Sequence, residues 1–267
     1  MSFWSARLEL GFHMRQGKTI LAERRQEGPL VVQKPLYPEG EAVCHAIVVH
    51  PPGGIAGGDE LELKSSVAKG AHALLTTPGA GKWYRSAGAH AKQSLRFEVG
   101  GSLEWLPRET IVFNDARARL ECAVELKGDA RYIGWEVLCL GRAGAGERFS
   151  SGEVILETTI ACDGRLLWLE RGRIESGGSL PQSPAGLGGH SVCGTLIAAG
   201  PVDAQIVAAC RNAGGDRVAV TLVPGVMIAR YLGDSSEEAM RAFAALWAAL
   251  RPATIGRQAI EPRIWRT

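Results

Sequence analysis

The chain has 267 residues, of which 46% are hydrophobic and 22% charged, and its formal net charge is +2. That is enough chain to bury a real core in a soluble globular protein, and too little charge for a nucleic-acid role driven by bulk electrostatics. Six cysteines stand apart with no C-x-x-C pair, which argues against a zinc knuckle and for buried, reduced thiols.

No run approaches the ~18 apolar residues of a membrane span, and residues 1–17 lack the apolar core of a signal peptide. The expectation is therefore a cytoplasmic protein with no membrane partner.

Residues 2–50 read as strands joined by turns. Trp4, Ala6, Leu8 and Leu10 alternate; Leu30-Val31-Val32 is a short run; 41–49 is a longer one around Cys44-His45. Two turn clusters follow, Pro51-Pro52-Gly53-Gly54 with Gly57-Gly58-Asp59, and Thr76-Thr77-Pro78-Gly79-Ala80-Gly81-Lys82. Between them Leu61, Leu63, Ser65 and Val67 share one face, with Glu62, Lys64 and Ser66 on the other. Such alternation predicts half-buried strands.

The pattern continues with Leu95, Phe97 and Val99, then 102–106, then Leu120, Cys122, Val124 and Leu126. Residues 133–140 are almost continuously apolar, and 154–162 and 165–174 flank Asp163-Gly164. Residues 177–189 form a long Gly/Pro/Ser loop before a strand at 190–198. Gly-containing turns about every ten residues predict an extended all-β body.

Helical signals come late. Residues 202–213 predict one helix; strands at 218–223 and 226–231 flank Pro224-Gly225. Ser235 with Glu238 is a capping-box start, and Met240, Phe243, Trp247 and Leu250 then fall on one face, with Pro252 as the expected stop. With no linker or composition shift, the expectation is one predominantly β domain over 1–267 with two C-terminal helices.

Three stretches approach catalytic signatures and fail. Gly79-Ala80-Gly81-Lys82 lacks the first glycine of a phosphate loop and carries Trp83 where the hydroxyl belongs. Gly189-His190-Ser191-Val192-Cys193 lacks the final glycine of a nucleophile elbow, and no histidine follows the serine as that hydrolase order requires. Gly141–Gly146 lacks dinucleotide spacing and a following helix.

More telling are carboxylates on apolar faces. Glu104 aligns with Leu106, Glu136 with Leu138 and Leu140, and Glu170 with Leu166 and Trp168. Buried carboxylates are costly unless paired or metal-bound. They predict either pairing with arginines such as Arg171 and Arg173 or an internal polar channel able to carry a cation. The six histidines are scattered, without metal-site spacing.

Taken together, GPLVVQKPLYPEG (28–40), CHAIVVHPPGGIAGGDELEL (44–63), GAHALLTTPGAGKWYRS (70–86), LEWLPRETIVFNDA (103–116), GWEVLCLGR (134–142), LLWLERGRI (166–174) and GLGGHSVCGTLIA (186–198) resemble, in order, the urease accessory protein family UreD, called UreH in some organisms. The resemblance implies an irregular, β-helix-like stack of strands with two helices and no catalytic activity. It implies a scaffold that binds UreF, which recruits the GTPase UreG, on the urease apoprotein subunits. It implies help in delivering nickel, a cargo in transit rather than a bound cofactor, through an internal tunnel.

By position in the family motifs, Asp59, Ser86, Glu104, Glu109 and Glu170 are the residues expected to line or shape a nickel path. Gly81 departs from the bulkier or polar residue frequent there. The competing reading is an enzyme acting on carbohydrate through an acid pair such as Glu104 and Glu109, which would need both carboxyls in an open cleft.

Overall fold

The computed structural model describes residues 4–266. Its strands, in chain order, are β1 (Ser5–Arg15), β2 (Lys18–Glu27), β3 (Val31–Val32), β4 (Cys44–Val49), β5 (Glu60–Val67), β6 (His72–Thr76), β7 (Gly81–Trp83), β8 (Ala91–Val99), β9 (Ser102–Leu106), β10 (Thr110–Val112), β11 (Arg117–Leu126), β12 (Arg131–Arg142), β13 (Glu147–Arg148), β14 (Glu153–Cys162), β15 (Arg165–Glu175), β16 (Val192–Ala199), β17 (Val218–Val223) and β18 (Val226–Gly233). Two α-helices, α1 (Ala204–Gly214) and α2 (Ser236–Thr254), lie in the C-terminal half. The fold is mainly β, as the alternating runs predict.

A seven-stranded sheet has the order β15-β14-β11-β8-β5-β1-β2, and a second sheet the order β17-β18-β16-β12-β9-β6-β4-β3, with β10, β7 and β13 attached beside β12. Both sheets are mixed. From β4 onward the chain passes back and forth between them, so neighbouring strands within each sheet run parallel through the middle. Antiparallel hairpins close the ends of the first sheet. The register places Leu8, Leu63, Leu95, Cys122, Thr158 and Glu170 in one row across it. Side chains in a row share a face, so this row turns from apolar to polar towards β15.

The second sheet is buried on both faces. Leu75, Leu103, Trp105, Tyr132 and Leu138 pack towards the seven-stranded sheet. Leu74, Leu106, Ile133 and Trp135 pack with α2. Continuous apolar runs such as 133–140 follow from this, because a strand covered on both sides needs no polar alternation.

Helix α2 starts where Ser235 caps it, accepting from the Glu238 N–H at 3.2 Å. The capping box is half made: the Glu238 carboxylate accepts from the Tyr231 hydroxyl at 2.9 Å instead of reaching back. The helix also runs past Pro252 to Thr254, because its last turn closes through Ile255 and Gly256 N–H groups onto Arg251 and Pro252 carbonyls. Gly194 on β16 permits this packing, since a Cβ there would lie 2.9 Å from the Phe243 ring. Helix α1 begins two residues after its predicted start, capped by Asp203 accepting from the Ile206 N–H at 2.8 Å.

Strand β2 escapes the apolar-alternation pattern because all but its first residues are exposed. The pairing register of β15 with β14 shifts at Ile160/Ala161 of β14, so Trp168 opposes Ile160 and Leu166 opposes Ala161. The shift takes Leu166 off the face of Trp168 and Glu170 and leaves it 54% exposed.

Candidate functional site

The two turn clusters around Gly54 and Lys82 pack against each other. Gly54 lies beneath the Tyr84 ring and Gly57 against Ser86, where any Cβ would collide. Asp59 holds the first turn: its carboxylate accepts from the Ala56 N–H at 2.8 Å and the Trp4 N–H at 3.2 Å. Ser86 holds the second, its hydroxyl donating to the Ala89 carbonyl and accepting from the Gly88 N–H at 3.1 Å. Both side chains are turn-makers in this arrangement.

Glu104 lies on the helix-facing side of the second sheet and has no exposed surface. His72 Nε2 is 2.7 Å from its Oε1, the Trp247 indole donates to Oε2, and Arg251 Nε donates to both oxygens at 3.1 and 3.0 Å. Arg251 also reaches Glu39 at 2.7 and 2.8 Å, and Glu39 is 2.6 Å from His45 Nε2. Burial opposes ionisation of Glu104, but the His72 hydrogen bond and the His72 and Arg251 charges outweigh it and hold its pKa down to about 2. Burial likewise opposes ionisation of Glu39, and its bonds from His45 and Arg251 hold its pKa below the usual value. This cluster ties β4, β6, β9 and the residue-39 turn to α2. No substrate can reach Glu104, so an acid pair with Glu109 in an open cleft is absent.

Glu109 Oε2 is buried without a hydrogen bond, 3.6 Å from Arg108 Nε. Glu170 pairs with Arg230 Nη1 at 2.7 Å, while Arg171 pairs with Glu157 and Arg173 with Glu153. The arginine partner of Glu170 thus comes from β18 of the other sheet, a pairing that neighbouring sequence could not disclose.

Between the sheets lie two cavities, of about 310 Å³ and about 670 Å³. They adjoin: Gln93 and Leu95 from β8, Trp105 from β9 and Glu136 from β12 line both. The smaller opens among His50, Thr77–Lys82 and Arg108. The larger carries Glu170, Thr158, Thr195, Cys122 and Cys193. Of the five residues expected on a nickel path, Glu170 lines a cavity wall, whereas Asp59, Ser86, Glu104 and Glu109 belong to neither lining.

Glu136 is the one ionisable group common to both cavities. Its hydrogen-bond partner is the Thr110 hydroxyl, which donates to Oε1. Burial pushes its pKa up to about 7, and the Thr110 bond only moderates this. Burial also pushes the Cys122 and Cys193 thiols up to about 12. Among the described residues no group of three or more His, Cys, Asp or Glu side chains is gathered to hold a metal ion. A carboxylate path here would therefore offer a cation one or two oxygen ligands at a time.

The near-miss motifs resolve structurally. Lys82 enters strand β7, not a helix. Ser191 Oγ donates to Asp234 Oδ1 at 3.2 Å and His190 Nδ1 lies 2.8 Å from Oδ2, so each engages one oxygen of the same carboxylate instead of forming a Ser–His relay.

Comparison with known proteins decides the family. The family model described as UreD urease accessory protein matches residues 5–266. The chain belongs to the UreD family. It is 54% identical over 273 residues to the urease accessory protein UreD of Dechloromonas aromatica (strain RCB), covering 99% of this chain and 95% of that one. It is 53% identical to the UreD of Azoarcus sp. (strain BH72), covering 99% and 94%, and 50% identical to that of Janthinobacterium sp. (strain Marseille), covering 98% and 91%. The sealed cluster of Glu39, His45, His72 and Arg251 around Glu104 was not anticipated from sequence. One signal was available: Arg251 falls four residues after Trp247, on the apolar face of α2.

Proposed function

We propose that the protein is a non-catalytic accessory protein of urease maturation, a single UreD-like domain over 1–267 acting in the cytoplasm. The observation that carries this reading is the family match over residues 5–266. It forms a complex with UreF and the GTPase UreG on the urease apoprotein and helps deliver nickel to the urease active site.

The adjoining cavities are the two arms of the nickel passage. Glu136 stands where they meet, and Glu170 stands in the larger arm. Carboxylate oxygens are hard ligands that hold Ni²⁺ weakly when few in number, which suits transit better than storage. Asp59, Ser86, Glu104 and Glu109 shape the surrounding scaffold. Among the described residues no helix is long and apolar enough to cross a membrane.

Deleting the protein from a urease-producing strain tests the reading. Urease apoprotein is then made in normal amount but is nickel-poor and inactive. Normal nickel content and activity in that strain would overturn it.

A further inference from the structure

The smaller cavity has a rim of the wrong sign for a cation. Lys82 and Arg108 line it, and its single carboxylate is the shared Glu136. The larger cavity adds Glu121, Glu157, Glu170 and Asp216 against Arg171, Arg217 and Arg230, so acids outnumber cations there. Lys82 is exposed and forms no ion pair among the described residues. Arg108 Nε is 3.6 Å from Glu109, beyond hydrogen-bonding distance, so its charge is only loosely matched.

The turn beside these cations is pinned at both ends to residues 108 and 109. Thr77 Oγ1 accepts from the Arg108 N–H at 2.9 Å and donates to the Gly79 carbonyl at 3.2 Å. The Gly81 N–H donates to the Glu109 carbonyl at 2.9 Å. Gly79 and Ala80 donate no backbone hydrogen bond among the described residues. These two N–H groups line the cavity together with two cations, which are the donors and charges an anion needs. His50 adds an imidazole that burial disposes towards the neutral form, with Asp59 opposing. Behind these groups the wall is apolar, formed by Val48, Ile55, Leu61, Leu63, Leu95 and Trp105.

We propose that the smaller cavity binds a carboxylate bearing a short apolar body. The head group sits on Lys82, Arg108 and the Gly79 and Ala80 N–H groups; the body lies between Leu61, Leu63, Leu95 and Trp105. A nucleotide or free phosphate fits less well. The turn leads into a strand, Trp83 stands where a phosphate loop has its hydroxyl, and a doubly charged head would find only two cations above a greasy wall. A lone cation is repelled by the same two charges.

Resting on the maturation reading, the bound carboxylate also neutralises this end of the passage, so that a divalent cation arriving from the larger cavity no longer meets an unscreened positive collar. The carboxylate has two sources: a free small acid, or an Asp, Glu or C-terminal carboxylate of a docked protein.

Two arms separate them. In the first, the isolated full-length chain is titrated with sodium butyrate and followed by saturation-transfer NMR. Saturable binding that weakens at least about tenfold in Lys82→Glu, and again in Arg108→Gln, supports the free-acid source. Lys127→Glu, at an exposed turn remote from the cavity lining, leaves it unchanged. In the second, the assembled maturation complex is treated with a zero-length carbodiimide. A cross-link from Lys82 to a partner carboxylate, absent in Lys82→Gln, supports the protein source.

Butyrate binding insensitive to Lys82, together with no Lys82 cross-link, overturns the proposal. So does inorganic phosphate that binds with the same Lys82 dependence and greater affinity. The first arm reads the isolated chain, so its failure leaves the maturation role standing. Normal nickel content in the deletion strain would remove that role without touching the binding.

Discussion

Glu104 and Glu136 stand on opposite faces of the same sheet and meet opposite fates. Glu104, on β9, faces α2 and is held by His72, Trp247 and Arg251, with a pKa of about 2. Glu136, on β12, faces the other sheet and the cavities, bonds to one hydroxyl, and has a pKa of about 7. Both break an apolar pattern, but Glu104 is fully buried whereas Glu136 is half-buried on the cavity wall. What separates them is the supply of partners. A charge whose every lone pair is occupied is a structural device, whereas a buried acid with spare lone pairs beside empty space is poised for chemistry or transport.

The contrast can be broken at its strongest point first. Arg251→Met leaves Glu39 and Glu104 buried without their shared guanidinium. A loss of about 3–5 kcal/mol is expected, read as a large drop in the urea midpoint. A loss below about 1 kcal/mol would show that the cluster does not hold α2 to the sheet.

Glu136→Gln acts in the other direction and depends on pH. Its folded pKa is raised from 4.5 to about 7, so the native state binds more protons across that window. Wild-type stability from this group is therefore full below pH 4.5 and falls as pH rises towards 7, by about 3 kcal/mol in all. Glu136→Gln removes that fall, and its advantage over wild type grows between pH 5 and pH 8. Glu104 has the opposite sign: its contribution is present above 4.5 and is lost as pH falls through about 2. Denaturation curves at pH 3, 5 and 8 resolve the two.

Smaller effects sharpen the picture. Asp59→Ala frees the Ala56 N–H at the Gly57-Gly58 turn and the Trp4 N–H ahead of β1, and costs about 1 kcal/mol, the scale of a lost cap. Glu170→Leu breaks a partly exposed pair with Arg230 and changes stability by less than about 1 kcal/mol. It nonetheless lowers urease activation while the partner complex assembles; unchanged activation would make Glu170 a structural or solvent-facing residue.

Much of the fold is written in local pattern. The alternation of Leu61, Leu63, Ser65 and Val67 gives β5 its buried face, and Ser235 starts α2. Strands β7 and β10, three residues each, carry too few side chains to show a period and form only because β12 and each other supply hydrogen bonds. The site was legible in part. Glu104, Glu136 and Glu170 stood out as acids on apolar faces, yet nothing local told sealed from open. That distinction rests on Arg251, 147 residues beyond Glu104, and on Arg230, 60 beyond Glu170. Partners so distant in sequence are set by sheet and helix packing alone.

If the cavity-facing acid, and not the sealed one, serves nickel delivery, loss of the Glu136 charge starves urease of nickel. The most direct test is the nickel content per active site of urease matured alongside Glu136→Gln, measured by plasma mass spectrometry. The expected variant is folded, more stable than wild type at pH 8 and still assembled with its partners, and it yields nickel-poor urease. Urease with its full nickel complement from that strain would contradict this role of Glu136.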